Sequence, residues 1–179
     1  GKYRIDRLLE IYSNTWLYLE DGATIVRNFD KGCMIKNAQA NGAGGYGSER
    51  NIVIEGGCWD GNPSSTSRPF SNMRFGHMKN LWIKNVEIKN NYNGHHVEIG
   101  GVKGITIEDC DFHGYTGTFQ KEAIQLDTIS NSDVFPAYEP FDDPPCDNAV
   151  IKNNKFHDLI RGLGSHSACL GVYYTNTLI

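Results

Sequence analysis

The sequence predicts an all-β chain wound as a parallel β-solenoid, and three observations carry that reading. The middle of the chain repeats at an offset of 24 residues without a gap: Met73–Ile88 lies over Val97–Phe112, which sets Lys79 on Lys103, Ile83 on Ile107 and Ile88 on Phe112. Within each copy the apolar residues alternate (Leu81, Ile83; Val97, Ile99; Ile105, Ile107), the two-residue period of a strand with one buried face. No stretch of useful length holds a 3.6-residue apolar period.

The remaining coils follow from the same pattern. An earlier copy opens at Asn51-Ile52-Val53-Ile54, and a later one, Asn148–His157, lies 44 residues beyond its predecessor, so its coil carries an insertion of about 20 residues. A coil of this length cannot bury its own apolar row. Stacking supplies the core and leaves unpaired edges only at the two ends. Asn85, Asp109 and Asn153 recur at one corner, where such side chains bond neighbouring backbone, and Phe112 and Phe156 are expected to stack inside. Residues 1–179 read as one solenoid domain. Its last residues, Asn176-Thr177-Leu178-Ile179, begin a strand with no polar cap after it. The expectation is therefore a piece of a longer solenoid, its open end covered by the remainder of its own chain or by an oligomer partner.

Composition narrows the function classes. Lys plus Arg is 17 against 21 for Asp plus Glu, a net charge of −4 with no basic stripe, which argues against a nucleic-acid partner. No apolar run approaches the roughly 18–20 residues of a spanning helix, so no membrane partner is expected. Glycine, 20 of 179 residues, together with many asparagines marks a turn-rich β protein. Five cysteines (Cys33, Cys58, Cys110, Cys146, Cys169) without a CxxC pair read as buried thiols, not as a zinc site or a disulfide framework.

The run Asn51-Ile-Val-Ile-Glu-Gly-Gly-Cys-Trp-Asp-Gly61, the Lys79-Asn-Leu-Trp-Ile-Lys-Asn85 run and the repeated coils resemble the right-handed parallel β-helices of the pectin-lyase-like superfamily, from the Leu17/Leu19 strand to Ile179. The resemblance implies an extracellular glycoside hydrolase or polysaccharide lyase, or a related adhesin or phage tailspike, and hence a secreted or cell-surface setting. It carries over no catalytic residue. The Asn-Thr-Asp, Asp-Asp and Gly-His-Gly motifs of the polygalacturonases are not intact here, and the pectate-lyase calcium aspartates and catalytic arginine find no match.

Alternation gives a surface map independent of the family. With Val97, Ile99, Ile124, Leu126 and Leu163 inward, His96, Glu98, Gln125, Asp127, Gly162, Gly164 and His166 face outward, and Arg74 faces outward one coil earlier. Stacking makes a column Arg74, Glu98, Gln125, Gly164, with Asp127 beside His166. Asp127 closes its strand where the insertion Thr128–Asp147 begins, which makes it the candidate general acid or nucleophile, with Glu98 as second carboxylate about 8 Å away between Cα atoms. His166 would orient or charge-balance Asp127. Arg74, His96 and Gln125 would hold hydroxyls, and Trp59, Phe135 and Tyr138, carried on the long loops, would supply apolar walls for sugar rings. The neighbouring His95 and His96 point opposite ways on a strand and cannot share a metal. No metal centre or cofactor is expected, apart from a weak case for calcium at Asp142, Asp143 and Asp147. Gly42–Gly47 lacks the lysine and hydroxyl of a phosphate loop and reads as a flexible loop. The expected function is hydrolysis of a poly- or oligosaccharide. The alternatives are a non-catalytic glycan-binding solenoid or, given only Arg74 and Arg161 as nearby cations, a lyase.

Overall fold

The computed structural model describes residues 1–39, 42–165 and 175–179. It is a parallel β-helix of sixteen strands among the described residues: β1 (Lys2–Ile5), β2 (Leu9–Ile11), β3 (Thr15–Tyr18), β4 (Thr24–Arg27), β5 (Ile35–Asn37), β6 (Arg50–Glu55), β7 (Cys58–Asp60), β8 (Met73–Lys84), β9 (Glu87–Tyr92), β10 (Val97–Glu108), β11 (Asp111–Thr116), β12 (Glu122–Asp127), β13 (Asp147–Lys152), β14 (Lys155–His157), β15 (Arg161–Gly164) and β16 (Thr175–Leu178). All the strand pairings between them are parallel.

One sheet runs β1-β4-β7-β9-β11-β14. The other faces share the long strands β8 and β10, which bend at His77 (φ 52°) and Gly101 (φ 55°). Their first halves join β2, β5, β12 and β15, and their second halves join β3, β6, β13 and β16. The register is the one the repeat predicts: Ile83 pairs Ile107 at an offset of 24, and Ile107 pairs Ile151 at an offset of 44.

Stacking makes continuous interior rows. Leu17, Ile54, Ile83, Ile107 and Ile151 form one. Ile25, Trp59, Ile88 and Phe112 form another, and Phe156, 40% exposed, continues it with its ring parallel to that of Phe112 and centroids 5.2 Å apart. Cys33, Cys58, Cys110 and Cys146 are buried free thiols, and burial pushes the Cys146 thiol up to about 12. Cys169 lies outside the described residues.

The corners explain the asparagines. Asn85, Asp109 and Asn153 all adopt left-handed backbone, at φ 55°, 55° and 58°, a conformation Asn and Asp tolerate better than other side chains. A second corner carries Asn14, Asn51 and Asn80, also left-handed, linked side chain to side chain. The Asn51 amide donates to Asn14 Oδ1 at 2.9 Å, and the Asn80 amide donates to Asn51 Oδ1 at 2.9 Å. In the next coil the position is Gly104, where a Cβ would stand 2.9 Å from Asn80 Oδ1.

Asn80→Ala forces a β-carbon into left-handed backbone and breaks one rung of this ladder. It should lower the unfolding free energy by about 1–2 kcal/mol. Asn80→Gly keeps the backbone geometry and loses only the rung, so denaturant melts should rank it between alanine and wild type.

Candidate functional site

The expected polar column is in place. Lys36, Arg74, Glu98, Gln125 and Gly164 are register partners on successive coils of one face. Glu98 is buried, and its Oε2 accepts from Arg74 Nη2 at 2.6 Å, Arg74 Nε at 2.8 Å and the Ser71 hydroxyl at 2.8 Å. These are short charge-assisted contacts that fix both side chains. Burial works against the Arg74 charge, but Glu98 outweighs it and holds the guanidinium above its usual range. The column opens into a cleft of about 380 Å³ whose polar floor includes Arg74, Glu98, Gln125 and His95, with Phe70 and Phe119 on its walls.

Beside this column runs a second one, Gly76, Gly100 and Asp127. The two glycines leave a trough, and the insertion after β12 fills it. Ile129, Phe135 and Tyr138 are fully buried there as a small apolar cluster of their own. A Cβ at Gly76 would come within 2.6 Å of the Tyr138 ring, and one at Gly100 within 2.8 Å of Ile129 and 2.9 Å of Phe135. The Tyr138 hydroxyl donates within reach of both Asn37 Oδ1 (3.0 Å) and the Arg74 carbonyl (3.1 Å). Buried His77 sets Nε2 3.0 Å from the carbonyls of both Tyr138 and Pro140. The glycine-rich segment read as flexible fastens the same roof: the Gly45 amide donates to Asp142 Oδ2 at 2.7 Å, and the Tyr46 hydroxyl donates to the Pro145 carbonyl at 2.9 Å.

Several expected roles are therefore corrected. Phe135 and Tyr138 do not wall a sugar site, because they are the roof pinned into the glycine trough. Trp59 does not face a ligand, because it sits in the interior row between Ile25 and Ile88 with 1% of its surface exposed. His96 does not face outward. The alternation read back from Glu98 crosses a corner, and the imidazole turns inward, edge-on to Phe112 with Nε2 3.0 Å from the His113 carbonyl. Asp127 is 0% exposed, takes hydrogen bonds from the Gln125 amide and the Ser165 hydroxyl, and is not part of the cleft lining. Glu98 and Asp127 thus do not face one solvent-filled space. His166 lies outside the described residues. Arg74, Glu98 and Gln125 stand where expected. Of the loop acids, Asp142 engages Gly45 while Asp147 pairs with Lys103 at 3.0 Å.

Sequence reasoning missed His95, which takes the cleft-facing place assigned to its neighbour, and it missed a lateral face altogether. On the face formed by β3, β6, β8, β10 and β13 the outward positions Trp16, Val53, Trp82, Thr106 and Val150 form a largely apolar column. Trp16 is 65% exposed and meets Tyr18 edge-on at 6.2 Å between centroids. The flanking column pairs its charges, Lys84 with Glu55 at 3.2 Å and Lys152 with Glu108 at 2.9 Å. The signal was present in the alternation, since Trp16 and Trp82 each stand next to an inward residue (Leu17, Ile83).

No family model matches the chain. Plasmin and fibronectin-binding protein A of Streptococcus pneumoniae is 26% identical over 202 residues, covering 93% of this chain, which spans only 27% of that protein's length. Two solved structures of PfbA, a surface adhesin of S. pneumoniae, superpose with TM-scores of 0.77 and 0.79 at 22% and 20% identity, covering 95% and 99% of this chain and 44% and 50% of theirs. A candidate glycosyl hydrolase of Parabacteroides merdae superposes with a TM-score of 0.65 at 16% identity, over 99% of this chain and 79% of that one. These likenesses show the fold.

Two outcomes test this geometry. Gly76→Ala sets a methyl against the Tyr138 ring. It should cost about 1–3 kcal/mol and speed limited proteolysis within residues 128–147, while Gly162→Ala, whose methyl would meet only ordinary contacts at 3.5 Å, should leave that cleavage rate unchanged. Burial, against the opposing hydrogen bonds to the His113 and Gly114 backbone, holds His96 down at about 4 from 6.5. Between those values the unfolded chain binds the extra proton, so stability falls as pH drops from about 6.5 to about 4. The total loss is on the order of 3 kcal/mol. His96→Gln should flatten that part of a stability-versus-pH curve measured by chemical denaturation.

Proposed function

We propose that this β-helix is a binding scaffold of adhesin type, presented outside the cell in secreted or surface-held form, and not a glycosidase. The observation that carries the reading is the engagement of both acids. The carboxylate best placed for acid catalysis, Asp127, is fully buried and bonded to Gln125 and Ser165, and the other, Glu98, has one oxygen engaged by Arg74 and Ser71. Glycoside hydrolysis needs two carboxyl groups flanking the same bond from an open cleft. The relative named for binding plasmin and fibronectin supports a protein as the partner and the cell exterior as the setting. The lateral Trp16–Val53–Trp82 column is the surface suited to it. It is flat and aromatic, and it is rimmed by charges already neutralised in pairs.

The cleft favours a second, compatible reading. Fixed donors and acceptors on Arg74, Glu98 and His95 below Phe70 and Phe119 suit a sugar ring, so a glycan carried by the partner is the ligand expected there.

The test is binding and turnover on the same preparation. Immobilised fibronectin and plasmin should bind the chain saturably, and Trp16→Ser with Trp82→Ser should weaken binding at least tenfold while far-UV circular dichroism stays unchanged. No reducing ends should be released from a panel of polysaccharides. Sugar release that disappears in Asp127→Asn would overturn the proposal in favour of the hydrolase.

A further inference from the structure

Stacking brings together a second set of side chains, on the sheet face opposite none of the features above. The coil that reads Asp111-Phe112-His113 lies in register with Lys155-Phe156-His157, so the two histidines stand directly over one another, rings parallel and 4.6 Å apart between centroids. One ligand atom from each of Asp111, His113 and His157 lies within 4.8 Å of the other two. We propose that these three side chains form a binding site for a divalent transition-metal ion of the zinc class, on the outer face of β11 and β14.

The chemistry of the set favours it. Two imidazoles and a carboxylate are a borderline donor set, suited to Zn²⁺ and unsuited to Ca²⁺ or Mg²⁺, which want oxygen. An ion at the centre of the triangle stands at most about 2.8 Å from each donor. The three side chains need to close in by at most about 0.6–0.8 Å to reach the usual 2.0–2.2 Å. They are partly exposed. The surrounding contacts already resemble an outer shell. Asp158 Oδ2 lies 3.0 Å from His157 Nδ1, which leaves Nε2 turned to Asp111 Oδ1, also at 3.0 Å. A carboxylate behind a histidine in this way fixes its tautomer and raises its basicity toward a metal. Glu87, one coil earlier, places Oε1 3.0 Å from His113 Nε2 and is itself paired with Lys89 Nζ at 2.7 Å, so it orients the His113 ring and is not counted as a ligand. On binding, the ion replaces the proton between His157 Nε2 and Asp111 Oδ1, the Nδ1 proton donated to Asp158 stays in place, and the open side keeps a water. Among the described residues β14 is the last strand of its sheet, and the ion would clamp it to β11.

The site is independent of the proposed partner surface, and its test does not rely on it. Tag-free protein, stripped with chelator and dialysed, is titrated with ZnCl₂ by calorimetry and its bound metal counted by elemental analysis. One Zn²⁺ per chain is expected, with a rise in melting temperature, and no heat from MgCl₂ or CaCl₂. His157→Ala and His113→Ala should each raise the dissociation constant at least tenfold, and Asp158→Asn should raise it several-fold with every first ligand intact. Circular dichroism checks that each variant folds. Should a histidine variant fail to fold, Asp111→Asn and the visible absorption of the Co²⁺-loaded wild type report the same site. Folded wild type that takes up no Zn²⁺ at about 100 μM, or a His113→Ala/His157→Ala double variant that keeps full stoichiometry, would overturn the proposal.

Discussion

Everything in this molecule depends on one constraint: a coil has too few apolar residues to close a core, so each must set its inward row directly on that of its neighbours. Ile83 over Ile107 over Ile151 is that constraint made visible. Because the inward rows must coincide, the outward rows coincide as well, and chemistry in this fold comes as columns. The ion pair of Arg74 with Glu98, the glycine pair Gly76 and Gly100, and the stacked rings of His113 and His157 are all register partners. The corners answer the same need, since a coil can repeat its turn only where the backbone goes left-handed at the same place, which is why asparagine, aspartate and glycine alternate there.

The insertion after Asp127 shows how a column decides a site. Two outward glycines in adjacent coils remove the side chains that would otherwise fill the face, and three apolar residues of the insertion occupy the space. The polar column one step along keeps its side chains, and there the insertion borders the cleft, with Asp133, Val134 and Pro136 in its lining, without filling it. A single strand face is therefore divided into a sealed half and an open half by nothing more than which residue stands at alternate positions. Asp127, walled off from the cleft, and Glu98, in its lining, belong to different halves.

The fold was legible because the repeat is gapless at its core. Alternation and a 24-residue offset together fix both register and facing, and the column Arg74, Glu98, Gln125 followed directly. What escaped was whatever alternation does not govern. His96 stands before the first paired residue of β10, past a corner, where facing is set by the turn, and its side chain goes inside. Trp59 belongs to a three-residue strand hidden in what looked like a loop. Phe135 and Tyr138 carry no periodicity, and a loop aromatic looks the same in sequence whether it faces a ligand or its own sheet. The mark that separated the two cases was Gly76 aligned on Gly100, a vacancy repeated in register.

Magnitude favours the proposed binding reading over catalysis at the roofed face. For a substrate to reach the Gly76–Gly100 column beside Asp127, Ile129, Phe135 and Tyr138 must leave the trough. Burial of such side chains is worth about 1.5–3 kcal/mol each, so opening costs on the order of 5 kcal/mol before the loop's regained entropy is counted. At about 1.4 kcal/mol per factor of ten, the open form would hold roughly one molecule in several thousand. Entropy that offset half of that would still leave it at about one or two per cent. A catalytic face held shut so much of the time would forfeit about two decades of rate, whereas a scaffold gains from the same contacts, because the insertion locked on the sheet also brings Asp133, Val134 and Pro136 to the adjoining cleft. A partner then meets surfaces that need no ordering on binding, and that saving in entropy is what a small, exposed recognition surface depends on.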